Sequence, residues 1–129
     1  QGLREGFHVS DAGIGMMPAT VVTRKEILGQ ASGHGNVFLE VGLLIKNFSQ
    51  VEAWISPDAF PVMIGEQKYT FIALTQSNTA RLIPRNLRPG EVTFGILIYE
   101  VPENASYSIA TGHMMYSMQV MKVPLIPSN

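Results

Sequence analysis

The segment Leu87–Pro102, LRPGEVTFGILIYEVP, decides the fold class of this 129-residue chain. It opens with a Pro-Gly turn signal at Arg88–Glu91 and ends at Pro102. The residues between are β-branched, aromatic and aliphatic, which favours a strand. Both faces of that strand are apolar, with Phe94, Ile96 and Ile98 on one and Leu97, Tyr99 and Val101 on the other. The pattern predicts a strand over Val92–Val101 that lies at the centre of a sheet or beneath a partner.

A second strand is predicted at Asn36–Asn47, where the side chains alternate with a period of two. Weaker strand patterns occur at Phe7–Ser10, Ala19–Leu28, Phe60–Ile64, Gln67–Leu74, Ser106–Thr111 and His113–Val123. Helical periodicity is not sustained anywhere, and successive strands without crossover helices pair antiparallel. We therefore predict one all-β domain over residues 1–129, an antiparallel β-sandwich of seven to eight strands with Greek-key connections. Its core spans about residues 7–123, and residues 124–129 form an extended tail.

The composition excludes several classes of function. Nine Lys and Arg residues against ten Asp and Glu residues give a net charge near zero, so no nucleic acid partner is expected. Cysteine is absent, which excludes disulfides and cysteine-ligated metal sites. No apolar run reaches the roughly 20 residues of a membrane helix. The chain begins with Gln1 rather than Met, so we expect a processed or trimmed chain with a leader or anchor upstream.

Two segments together resemble a known family. They are Val41–Ser49 (VGLLIKNFS) and Leu87–Pro102, with Phe60–Gly65 (FPVMIG) and Tyr69 between them. The order is similar to that of the immunoglobulin-like domain of unknown function found in secreted and lipid-anchored bacterial and archaeal proteins, whose fold is similar to that of the mycobacterial immunoprotective extracellular antigen. The resemblance covers roughly Phe7 to Met121. It implies an immunoglobulin-like sandwich outside the cytoplasm and carries over no catalytic residue.

The most pointed chemical signal is the Met-rich stretch His113–Met121, HMMYSMQVM. Soft thioether ligands select Cu(I), and on a strand His113, Met115 and Met121 share one face. The simpler interpretation is that these methionines fill gaps in the core. The remaining histidines, His8 and His34, show no ligand spacing, so we predict no cofactor and retain copper only as an alternative.

An interaction surface is predicted at Trp54, Arg81, Arg85 and Arg88. The three arginines lie in one irregular segment and either gather an anion or acidic partner or form a solvated loop. Trp54 has aromatic neighbours in the sequence at Phe48 and Phe60. Exposed aromatics would contact a sugar or a protein, whereas buried ones would plug one end of the sandwich, which is the more usual fate of aromatic side chains.

No catalytic constellation is evident in the sequence. Glu40 and Glu100 lie on the two strongest strands, and paired carboxylates could perform acid–base chemistry only if they faced one another in a pocket. We therefore expect a non-enzymatic, extracytoplasmic binding or structural module, with copper handling through the Met-rich strand as the alternative. A protein partner or self-association is expected, and membrane attachment only through an anchor outside this segment.

Overall fold

The computed structural model describes residues 3–72, 80–111 and 121–129. These residues form thirteen β-strands, numbered in chain order, and a short 3-10 helix at Pro57–Ala59. The first six strands are β1 Leu3–Arg4, β2 Phe7–Val9, β3 Ile14–Arg24, β4 Glu26–Ile27, β5 Gln30–Ala31 and β6 Asn36–Asn47. The others are β7 Ala53–Ile55, β8 Val62–Ile64, β9 Gln67–Tyr69, β10 Arg85–Leu87, β11 Val92–Pro102, β12 Tyr107–Thr111 and β13 Met121–Leu125.

Two antiparallel sheets pack as a β-sandwich, which confirms the predicted all-β class. One sheet has the order β1-β2-β3-β6-β11 and the other the order β13-β12-β8-β9. The strands β7 and β10 form a separate two-stranded ladder, and β4 and β5 form a small hairpin that we call the arm. After β8 and β9 in the second sheet, β11 returns to pair with β6 in the first, as in a Greek-key connection.

The shared interior follows from the alternation within β6 and β11. Their inward residues are fully or nearly fully buried and include Val41, Leu43, Ile45, Leu97, Tyr99 and Val101. The opposing sheet contributes Val62, Tyr107, Ile109, Met121, Val123 and Leu125 to the same cluster. The Tyr99 hydroxyl donates a hydrogen bond to the Phe60 carbonyl oxygen at 2.5 Å, which satisfies its polar end inside the core.

Strand β11 lies at the edge of its sheet among the described strands, so the first of the two predicted alternatives, a central strand, is wrong. Its free edge is covered by chain outside the named strands. The Ile72 backbone N–H donates to the Ile98 carbonyl at 2.8 Å, and Ile96 exchanges backbone hydrogen bonds with Ala80 and Leu82. The apolar pattern of β11 does not distinguish an edge strand from a central one, because an edge strand covered by another segment of the chain is as apolar as a central strand.

The C-terminal segment pairs with the part of β3 that extends beyond its ladder with β2. The Ser128 backbone N–H donates to the Val21 carbonyl at 2.9 Å. The side-chain oxygen of Asn129 accepts a hydrogen bond from the Thr23 backbone N–H at 3.1 Å. The side-chain nitrogen of Asn129 donates one to the Thr23 carbonyl oxygen at 2.7 Å. The predicted tail therefore begins within β13, and its last residues lie along β3 and pair with that strand.

The extra strands explain the difference from the predicted number of seven to eight. Several of them, such as β4, β5, β7 and β10, contain only two or three residues. Ladders this short carry too few residues for an alternation to be recognised. Most of the predicted strand His113–Val123 and the end of Gln67–Leu74 lie outside the described residues.

Candidate interaction surface

The exposed indole of Trp54 is the centre of the predicted interaction surface. Strand β7 pairs antiparallel with β10, and Trp54 lies directly opposite Asn86. Its neighbour Ile55 is buried at 3% exposure, whereas Trp54 is 60% exposed. Because successive residues of a strand point to opposite faces, burial of Ile55 directs the indole outwards. The aromatic ring is thus presented to solvent from regular backbone.

Phe60 and Phe48, the aromatic residues predicted to accompany Trp54, occupy other environments. Phe60 is 1% exposed and belongs to the core. Phe48 is half-buried; its ring meets the Phe7 ring edge-on at 5.7 Å between centroids, and the Arg4 guanidinium lies 4.7 Å from its centroid. The aromatic residues therefore divide between the core, a satellite contact and the surface.

Two of the three arginines meet at one carboxylate. Arg85 Nη2 lies 2.7 Å from Glu91 Oε2, and the backbone N–H of Arg88 donates to Glu91 Oε1 at 2.9 Å. These interactions, led by the Arg88 N–H, hold the pKa of Glu91 below its usual value. Arg81 does not join them in this contact, because its backbone forms an isolated bridge with Ile96 of β11. The structure therefore links Arg85 and Arg88 and leaves Arg81 elsewhere.

Sequence reasoning missed the residue that fixes this region, Asn47. Its fully buried side chain donates to the carbonyl oxygens of Val51 at 2.8 Å and Leu87 at 2.9 Å. The side-chain oxygen of Asn47 accepts hydrogen bonds from the backbone N–H and the hydroxyl of Ser49. Its backbone bonds both Gly90 and Glu91, so the turn before β11 is fastened to the end of β6. The signal was present, since the two segments that carry the family resemblance are the ones that Asn47 joins.

Of the three candidate copper ligands, only Met121 lies within the described residues. That residue is 9% exposed, pairs with Thr111 in the sheet and packs in the core. His113 and Met115 lie outside the described residues. Within residues 3–72, 80–111 and 121–129, no group of three or more His, Cys, Asp or Glu side chains is placed to hold a metal ion. Copper handling stays a prediction.

Glu40 and Glu100 each have separate structural partners. Glu40 Oε1 accepts a hydrogen bond from Arg24 Nε at 3.1 Å. Glu100 Oε2 accepts from the Gly33 N–H at 2.7 Å and from the Asn36 amide at 3.0 Å. Those hydrogen bonds, with Asn36 first, lower the pKa of Glu100. Each carboxylate therefore fixes a neighbouring segment of the chain.

Two clefts flank the C-terminal segment. One, of about 330 Å³, is lined by polar and apolar side chains in equal measure and lies where Lys25 and Glu103 form an ion pair. The other, of about 510 Å³, is largely apolar and lies between β3 and β13. In the described part of the chain, no helix is long and apolar enough to cross a membrane.

Comparison with known proteins places the chain in a family. Residues 7–122 match the family described as "Domain of unknown function (DUF4352)". The chain belongs to this family. Membership confirms the predicted resemblance at the level of a domain family of unknown function, whereas the likeness to the mycobacterial antigen stays a prediction. No curated protein matches the chain.

Two crystal structures from Bacillus subtilis share the fold. The candidate lipoprotein ycdA matches with a TM-score of 0.77 and 13% identity over 98% of this chain, which spans 40% of the ycdA chain. The yjhA protein matches with a TM-score of 0.61 and 12% identity, over 89% of this chain and 93% of its own. At identities this low, the structural similarity shows the fold of the DUF4352 domain alone.

Proposed function

We propose that this DUF4352 domain is a non-enzymatic, extracytoplasmic module that binds a protein partner through a surface centred on Trp54. The observation that carries the proposal is the 60% exposure of an indole held on a paired β-strand. Trp and Arg are enriched among the residues that dominate binding energy at protein interfaces. Arg88, in the turn after β10, supplies an exposed guanidinium group, whereas Arg85 pairs with Ile55 and so leaves the ladder on the face opposite to the indole.

The proposed surface is rigid before a partner arrives. Asn47 and Glu91 fix the turn that follows β10, and cross-strand pairing fixes β7. Pre-ordering of backbone and side chains reduces the entropy lost on binding. A surface ordered in this way favours the binding of a partner, and the absence of catalysis is part of the same proposal.

The similarity to ycdA, described as a candidate lipoprotein, supports the proposed compartment. Residues 1–129 contain no cysteine, so labelling of a thiol introduced in this domain is measured as the increase over the wild-type full-length protein. Gln50 is exposed in the turn after β6 and is a suitable position. In intact cells that produce the native full-length protein with Gln50→Cys, we expect labelling by a membrane-impermeant maleimide. Labelling only after permeabilisation would contradict the proposed location.

Binding through Trp54 is tested by in vivo cross-linking of the native protein. Trp54→Ala removes the indole, whereas Val51→Ala, a change at another exposed apolar residue of the same connection, is the matched control. We expect a cross-linked protein partner that is lost with Trp54→Ala and retained with Val51→Ala. Equal cross-linking of the wild-type protein and both variants would contradict the surface assignment.

A further inference from the structure

The outer face of the five-stranded sheet carries a central apolar patch that the described chain leaves partly uncovered. Cross-strand pairing aligns two rows of side chains across β3, β6 and β11. We call these two rows the outer strip; they comprise Met17, Leu44 and Phe94 in one row and Thr20, Gly42 and Ile96 in the next. Phe94 is 43% exposed and its ring lies over Gly42, where an added Cβ would be 3.1 Å from Cζ.

The arm covers the neighbouring part of the same face. Its residue Ile27 packs on a small cluster formed by Phe38 and Ile98. Ile72, from the segment along β11, and Ile96 of the outer strip pack against the same cluster. The face is therefore stepped, because one end is raised by the thickness of the arm and the outer strip lies at the level of the sheet. The arm shields its end of the sheet and leaves Phe94 exposed.

Leu28 at the tip of the arm is in an unfavourable position for a large apolar side chain. It follows Ile27 in the two-residue turn between β4 and β5, has a φ of 53° and is 54% exposed. Positive φ is uncommon for residues other than Gly, Asn and Asp, and costs free energy for a bulky side chain. Backbone strain of this kind is a reason to look for a function of the side chain. Exposure of the Leu28 side chain to solvent in an isolated monomer supplies no such function.

The charges at the two ends of the outer face are opposite. At the β1 end, Arg4 and Lys46 outnumber Glu5, which pairs with Lys46 at 2.7 Å. At the arm end, the four carboxylates of Glu26, Glu40, Glu100 and Glu103 outnumber the two cations, Arg24 and Lys25, which pair with Glu40 and Glu103. The face is thus basic at its low end and acidic at its raised end. Reversing a second copy by a two-fold rotation brings unlike charges together and fits each raised end into a low one.

We propose that two copies of this domain associate through this face, with the arm of each lying on the outer strip of the other. In that isologous arrangement Leu28 contacts Leu44 and Phe94 of the partner. The outer strip is only two rows deep across three strands, so we expect an interface below the standard size of roughly 800 Å² per partner and an association that is weak and depends on concentration. This dimer is independent of the surface around Trp54.

Analytical ultracentrifugation over a range of protein concentration tests the association. We expect the wild-type domain to pass from monomer to dimer at high micromolar to millimolar concentration, and Phe94→Asp to weaken dimerisation by about tenfold or more. Val51→Asp changes an exposed apolar residue elsewhere and is expected to dimerise like the wild type. A wild-type domain that stays monomeric at millimolar concentration overturns the proposal.

Leu28→Asn separates the dimer contact from folding. Asn accepts positive φ better than Leu, so the variant is expected to have a higher Tm at dilute, monomeric concentration while dimerisation falls. A role of Leu28 confined to the fold of the monomer would leave dimerisation unchanged. An unchanged dimerisation constant in Leu28→Asn therefore also overturns the proposal, even if Phe94→Asp fails to fold.

The orientation is tested by paramagnetic broadening in a mixture of two populations. One carries a nitroxide on Leu28→Cys, and the other is unlabelled wild type enriched in ¹⁵N; the natural chain contributes no competing thiol. We expect broadening of the wild-type amides at residues 42–44 and 94–96. A nitroxide on Val51→Cys should leave those amides sharp. Broadening confined to other surfaces, or none, overturns the antiparallel arrangement.

Discussion

The side-chain amide of Asn47 donates a hydrogen bond to the carbonyl oxygen of Leu87 at 2.9 Å, across forty residues of sequence. The same amide nitrogen reaches the Val51 carbonyl, and Ser49 supplies two donors to the amide oxygen. One buried residue thus ties together the end of β6, the connection that leads into β7 and the end of β10. The position of the Trp54 surface therefore depends on it.

Asn47→Ala should destabilise the domain by about 2–3 kcal/mol, because it leaves the buried Leu87 carbonyl without its side-chain donor and removes the acceptor of the Ser49 N–H and hydroxyl. Urea unfolding followed by circular dichroism measures the change. Asn47→Asp keeps the shape but replaces a donor by a charged acceptor, and it should be at least as destabilising. Ser49→Ala keeps three of the four Asn47 contacts, including the buried one to Leu87, and otherwise removes only exposed hydrogen bonds to Val51, so it serves as the milder control. Equal stability of Asn47→Ala and Ser49→Ala would contradict the central role of the amide.

Gly95 in β11 is required by a close approach of backbone. A Cβ atom at this position would lie 2.3 Å from the Cα atom of Leu82 and 2.6 Å from its nitrogen. Because the obstacle is main chain, relief requires displacement of the segment that covers the β11 edge. Gly95→Ala should therefore cost about 3 kcal/mol or more in urea unfolding.

Gly42→Ala is the matched comparison for that prediction. There the added Cβ meets Oγ1 of Thr20 and the ring of Phe94, which are ends of side chains that can rotate. We expect a smaller loss of stability than for Gly95→Ala. A larger loss at Gly42 would show that the Leu82 segment is easier to displace than its backbone contacts indicate.

The two long strands of the core were predictable because a period of two is unambiguous over ten or more residues. Strand β6 is found with the predicted bounds and β11 within one residue of them. The position of β11 at an edge was not predictable, since it depends on the path of Ile72 and Ala80–Leu82. Exposure of Trp54 was also undetermined, because a three-residue strand does not indicate which face turns inward.

Tyr99→Phe should lower stability by about 1–2 kcal/mol at neutral pH, because the buried Phe60 carbonyl loses its only side-chain donor in the described chain. Tyr107→Phe removes a hydroxyl that donates to the Pro102 carbonyl in a less buried setting and is the control. Thermal unfolding of the two variants gives the comparison. An unchanged Tm for Tyr99→Phe would contradict the role assigned to this hydrogen bond.

The same hydroxyl predicts the behaviour of the domain in alkali. Burial raises the pKa of Tyr99 far above its ordinary value. The unfolded chain releases this proton near pH 10, whereas the folded chain retains it, so the contribution to stability is complete below pH 10 and is lost as the pH rises. Above pH 10, unfolding free energy should fall by up to about 1.4 kcal/mol per pH unit from this group. Tyr99→Phe should show a correspondingly flatter alkaline decline.

Glu100 should control the connection between the arm and β6 in acid. Hydrogen bonds from the Asn36 amide and the Gly33 N–H favour the ionised carboxylate and lower its pKa. Its stabilising effect is therefore present above the ordinary carboxyl pKa of about 4.3 and is lost as the pH falls through the lowered value. The Gly33 amide resonance should follow this titration in ¹⁵N NMR spectra. Glu100→Gln should abolish the transition, and Asn36→Ala should move it to higher pH. A Gly33 transition that persists in Glu100→Gln would assign the titration to another group.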